Sequence, residues 1–104
     1  MAWEAKAMAN LRQIFVALSS AYAESEKVPT LKELGERHMI PSTLADGESG
    51  GYQFSIASKG PEFEIQANPT NPSSGRRYLM IDSEGTLRVE TGKPATSKSK
   101  ALMD

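Results

Sequence analysis

The chain has 104 residues, 38% of them hydrophobic, a formal net charge of −1 from 12 basic and 13 acidic side chains, and no cysteine. That size and composition fit one domain around one core, and the missing thiols exclude disulfides and thiolate metal sites. Residues 1–75 carry 6 basic and 9 acidic side chains and residues 76–104 carry 6 and 4, a balance too even to predict nucleic acid or an anionic membrane surface as a partner. The longest apolar run, Ile14 to Leu18, falls far short of the roughly 20 residues that span a bilayer, so the sequence as it stands is expected to be soluble.

The first element organises the rest. Met8, Leu11, Phe15, Leu18 and Tyr22 recur in steps of three and four, Ile14 widens the line, and no Pro or Gly interrupts it. The spacing predicts a helix over residues 1–27 with one apolar face. Burying Leu11, Ile14, Phe15, Leu18 and Tyr22 would contribute on the order of 10 kcal/mol, at roughly 1.5–3 kcal/mol each. An isolated helix of this length is marginal in water, so the stripe needs a partner surface. Trp3 lies off that stripe, and Trp3 to Met8 is expected to run past the sheet as an exposed overhang.

Residues 28–51 read as a connection with one short helix. Thr30-Leu31-Lys32-Glu33 has the capping-box pattern, Leu31 and Leu34 supply an apolar edge, Gly35 weakens the helix, and Pro41 ends it. Ser42 to Gly51 reads as loop, broken by Asp46-Gly47 and Gly50-Gly51.

The apolar period then changes from 3.6 to 2. Tyr52, Phe54 and Ile56 alternate with polar residues, Lys59-Gly60-Pro61 turns the chain, and Phe63 and Ile65 alternate with Glu62, Glu64 and Gln66, predicting a hairpin. Asn68 to Gly75 reads as loop from its two Asn-Pro dipeptides. Arg76–Asp82 and Thr86–Glu90 are expected strands. With Gly85 left-handed in a three-residue turn, Ile81 pairs with Leu87 and Leu79 with Val89. Those four side chains then face the helix, and Tyr78 and Met80 point away. Residues 93–104, rich in Thr, Ser and Lys, are expected to form a disordered tail.

The fold class is therefore α+β: a long N-terminal helix packed on a three- to four-stranded antiparallel meander, with residues 52–92 forming the sheet and residues 1–92 the domain.

Chemistry is sparse. His38, the one histidine, sits near a helix end, where a cation suits the dipole, and has no second His or Cys for a metal site. Asp46 with Glu48, and Asp82 with Glu84, are explained by turns. Arg76-Arg77 read as solvated residues discouraging edge pairing. Gly50-Gly51 leads into a strand and not a helix, so no phosphate loop is present. No catalytic residue, cofactor or metal is expected.

The order of elements and several local motifs resemble the type IV pilins and the pseudopilins of type II secretion. Ala9-Asn10-Leu11-Arg12-Gln13-Ile14 through Ala21-Tyr22 is similar to the soluble half of a pilin's first helix. Pro29-Thr30-Leu31-Lys32-Glu33-Leu34 is similar to the short helical turn that follows it. Gly51-Tyr52-Gln53-Phe54 and Phe63 to Pro69 match an aromatic strand and a strand ending in a Pro loop. Gly75 to Arg88 matches the closing hairpin with its Asp-x-x-Gly turn. The match covers about residues 8–96. It departs from the family in lacking an apolar helix with an early glutamate, a C-terminal disulfide and an acidic calcium cluster.

The resemblance implies the soluble ectodomain of a filament subunit, with its hydrophobic helix half removed or carried on a separate small subunit. Its partners would be other pilin-like subunits, in a homo- or hetero-filament, and membrane contact would come only through that apolar segment. Its location would be extracytoplasmic: an inner-membrane-anchored precursor, then a pilus or pseudopilus. The candidate assembly and core face is Met8, Leu11, Ile14, Phe15, Leu18 and Tyr22. The alternative is a free-standing extracytoplasmic module that binds a protein or peptide through its sheet or a surface loop bearing Asn68, Asn71, Arg76 and Arg77.

Overall fold

The computed structural model describes residues 2–25, 27–59, 62–71, 77–96 and 98–101. It is an α+β fold in the order α1 (Ala2–Ser25), α2 (Leu31–Glu36), α3 (Ser42–Ala45), β1 (Glu48–Ser49), β2 (Tyr52–Lys59), β3 (Glu62–Pro69), β4 (Tyr78–Asp82), β5 (Leu87–Glu90) and β6 (Lys100–Ala101). The strands form one six-stranded sheet in sequence order, every neighbouring pair antiparallel. The expected meander is thus wider than three or four strands, because β1 and β6 extend both sides.

Cross-strand register explains how the helix is held. Phe54, Ala67, Leu79 and Val89 are successive partners across β2 to β5, and so are Ile56, Ile65, Ile81 and Leu87. Side chains alternate faces along a strand, so these two rows share the face against α1. All but the partly buried Ile56 are buried in one cluster with Leu11, Ile14 and Leu18. The expected pairing of Ile81 with Leu87 and Leu79 with Val89 is present. Gly85 adopts φ +84°, so the turn favours glycine, and a β-carbon there would meet the Phe15 ring at 3.4 Å, an ordinary contact. Asp82 closes the same turn, its Oδ1 accepting from the Glu84 and Thr86 amides at 3.0 Å each.

The connection is more ordered than expected. Thr30 and Glu33 form the reciprocal capping box. The helix then ends in a Schellman motif, with Met39 N–H donating to Leu34 O and His38 N–H to Gly35 O. His38 occupies the left-handed position at φ 58° and is exposed, so the histidine expected near a helix end sits just past it. Ser42–Gly51 is not simply loop: Leu44 of α3 is buried, and Ser49 pairs with Tyr52 around Gly50-Gly51. Gly35 weakens α2 for a packing reason, since a β-carbon there would fall 2.3 Å from Ala45 Cβ of α3.

Three further expectations are corrected. Asn68 and Pro69 belong to β3, pairing with Gln53 and Tyr52, because β3 continues as long as β2 offers partners. The start of α1 does not overhang. At about 1.5 Å per residue its 24 residues span about 36 Å, close to the molecule's 38 Å longest extent, and Glu4 and Ala7 are both buried. The side chain of Trp3 lies outside the described residues.

The tail is the third correction. Ala95 and Ser99 are held from the sheet's outer face and Lys100–Ala101 join its edge as β6; Met80, expected to face away from the helix, does so and is fully buried. Its strand neighbours on that face are Gln66 and Arg88. Gln66 Nε2 donates to Ala95 O at 3.3 Å and Arg88 Nη1 to Ser99 O at 3.0 Å, so the tail crosses directly over Met80. Polar hydrogen bonding replaces the missing apolar period.

Candidate functional site

Helix α1 is the element with two working faces. The face toward the sheet is the line Glu4, Ala7, Leu11, Ile14, Leu18 and Ala21, all buried, in alternating steps of three and four. Of the residues read as the assembly and core face, Leu11, Ile14 and Leu18 lie on this line. Met8, Phe15 and Tyr22 flank it, partly buried against the same core. Phe15 meets Phe63 at a ring-centroid distance of 6.1 Å. That face is occupied by the chain's own sheet. Alanine at positions 7 and 21, both buried, lets the helix settle close to the strands.

The opposite face carries Ala5, Ala9, Arg12, Val16, Ser20 and Ala23, all exposed. Val16 is the exposed large hydrophobic residue of the described chain, at 63%. Apart from Arg12 and Val16 the side chains of this face are small, whereas solvent-facing helix surfaces are usually dominated by polar and charged ones.

One polar cluster ties α1 to the sheet. Glu4, 5% exposed, accepts from Arg77 Nε at 3.2 Å and Nη2 at 2.9 Å, and from the Arg77 backbone amide at 2.9 Å. Tyr52, itself buried, donates its hydroxyl to Arg77 O at 2.8 Å. The Arg77 side chain bonds hold the Glu4 carboxyl below its ordinary range, against burial, which pushes it up. The same bonds raise Arg77. Glu4 also sits in the first turn of α1, where the helix dipole favours an anion. Arg77 immediately precedes β4, an interior strand, and its charge is used by Glu4 although its side chain stays 39% exposed. Extending the three-four spacing two steps before Leu11 lands on Ala7 and Glu4. A carboxylate on a buried line requires a buried cation or hydrogen bonds, and that signal would have found the pair.

The proposed surface loop does not come together as a recognition surface. Asn68 is in β3, Asn71 is exposed in the bend that follows, Arg77 is bound to Glu4, and Arg76 lies outside the described residues. Asn68 borders a cavity of about 270 Å³ with Asp46, Gly47, Gln53, Phe54 and Ser55, and its Oδ1 is buried with no hydrogen bond among the described residues.

Among the described residues no three His, Asp or Glu side chains converge as a metal site, and no helix is long and apolar enough to cross a membrane. Comparison with protein-family models, curated proteins and solved structures finds no match for this chain.

Proposed function

We propose that the protein is a non-enzymatic structural subunit of an extracytoplasmic, pilin-like filament, in which α1 packs against helices of neighbouring subunits. The observation that carries this reading is the outward face of α1. Ala5 and Ala9 toward one end and Ser20 and Ala23 toward the other leave the backbone unshielded by bulk, with Arg12 and the apolar Val16 between them. Small residues allow helices to approach closely, while the other face is consumed by the sheet. The resemblance of element order and motifs to pilins supports the same reading.

A filament needs contacts that are head-to-tail and do not close. The chain has no cysteine, so the variant Ala9→Cys with Ser20→Cys carries thiols only on the outward face. A thiol cross-linker shorter than the roughly 16 Å between those positions cannot bridge them within one molecule. Cross-linking in intact cells that make the protein is expected to give a ladder of multimers. Monomers alone, or a single dimer band, would overturn the proposal.

A second reading, a binding module, is supported by the cavity of about 270 Å³ that Asn68 borders.

A further inference from the structure

The segment after β5 combines three features that belong together. It carries its own fold: Ser99 N–H donates to Thr96 O at 3.0 Å, Thr96 N–H to Ser99 Oγ at 2.9 Å, and Lys98 N–H to Thr96 Oγ1 at 3.2 Å. Its other partners lie on the body of the sheet. Gln66 holds Ala95, Arg88 holds Ser99, Ser99 Oγ donates to Glu90 Oε1 at 3.0 Å, and Lys100 and Ala101 pair with Val89 and Arg88. Between body and strap, residues 91–94 are all exposed. Gly92 there has φ +80° and open space around it, and Pro94 follows.

We infer that this strap is exchangeable: residues 95, 96 and 98–101 of one molecule can close on the sheet of a second copy of the same chain. Every bond named above is reproduced when the strap comes from another copy, because its internal turn travels with it and its docking groups stay on the sheet. Only the exposed stretch 91–94 must change path, and exchange of an identical element is a low-cost route to association. Self-closure wins in dilute solution, since a short tether supplies an effective concentration on the order of millimolar. Exchange competes at that concentration, or wherever copies are held side by side. The inference rests on the outer face of the sheet and does not depend on the filament reading.

Val89 and Lys100 are directly opposed across β5 and β6, a spacing at which paired cysteines reach disulfide geometry. Two full-length chains, one with Val89→Cys and one with Lys100→Cys, are mixed at millimolar concentration and oxidised. Exchange predicts a disulfide-linked pair of unlike chains, several-fold in excess of either like pair. The double variant, closed on itself in dilute solution and then concentrated, should give no linked pairs. An unlinked mixture alongside a double variant that closes normally would overturn the inference. So would a double variant that fails to close, because the strap would then not lie on β5. If Val89→Cys does not fold, the fallback is the oligomeric state of the unaltered chain at millimolar concentration, where dimers are expected and monomers alone would overturn the inference.

Discussion

The two faces of the sheet are held by different physics. Toward α1, two four-residue rows of mostly aliphatic side chains meet Leu11, Ile14 and Leu18, and burial of apolar area does the work. On the far side, Met80 and Ala95 are the buried apolar residues, framed by Gln66, Arg88, Glu90 and Ser99 in hydrogen bonds. Glu64 is also buried on that side, directly opposite Asp82 on β4. Hydrophobic contact tolerates small shifts and gives most of the stability. Hydrogen-bonded closure is directional, contributes a net of only about 0.5–1.5 kcal/mol per neutral bond, and can open separately.

The largest test of this contrast is on the inner face. Leu18→Asp buries an unpaired carboxylate at a fully buried position and should cost more than about 4–5 kcal/mol. Domains of this size have about 5–15 kcal/mol in total, so a urea titration followed by circular dichroism should show little folded protein left.

Deleting residues 94–104 tests the outer face. Met80 loses its cover, worth about 1.5–3 kcal/mol, and the Arg88 bond to Ser99 is lost. Ordering entropy regained by the free chain offsets part of this, and a lower urea midpoint is expected. A deletion that leaves the urea midpoint unchanged would show that the outer layer contributes nothing.

That second effect is the one periodicity could not announce. Sequence reading works where burial is apolar, because the periods 3.6 and 2 are stamped on the residues. It reached α1, the four central strands and the pairing of Ile81 with Leu87 across the Gly85 turn. It failed for residues 95, 96 and 98–101, where Thr96 and Ser99 side chains and the backbone carbonyls of Ala95 and Ser99 close the sheet without any apolar repeat. It also missed β1 and α3, which are too short for a period to show, although Gly50-Gly51 between Ser49 and Tyr52 is a two-residue hairpin signal. For the candidate site, the inward residues of α1 were visible as a stripe. The outward face was passed over because alanine and serine read as filler when only large residues are counted. Glu4 and Arg77 lie 73 positions apart, and no local pattern links them.

The clasp itself gives a smaller effect with a pH signature. Glu4→Gln removes the charge from a buried carboxylate whose partner Arg77 is 39% exposed on its side chain. Charged hydrogen bonds contribute about 1.5–3 kcal/mol, discounted here to about 1–2 kcal/mol for that solvent screening. Because the folded-state pKa lies below the ordinary 4.5, this stabilisation is complete above that pH and is lost as pH falls through the lowered value. The difference between the protein and Glu4→Gln should be full at pH 7 and shrink in acid. A difference independent of pH would show that the carboxylate charge is not what matters.

Gly85→Ala should cost about as much as Glu4→Gln, about 1–2 kcal/mol for a β-carbon in the left-handed region. Its melting temperature should fall by several degrees, with the folded-state spectrum retained.

The central claim, that the outer layer is a separately closing unit on a stable inner core, is tested most directly by native-state hydrogen exchange across a series of low urea concentrations. Of Lys100 and Ala101, adjacent on an edge strand, the one whose amide points to β5 should be protected, yet exchange through an opening clearly less costly than the one that frees Ile65 and Leu79 at the centre of the sheet. Equal opening free energies for the two groups, or no protection at all in Lys100 and Ala101, would contradict it.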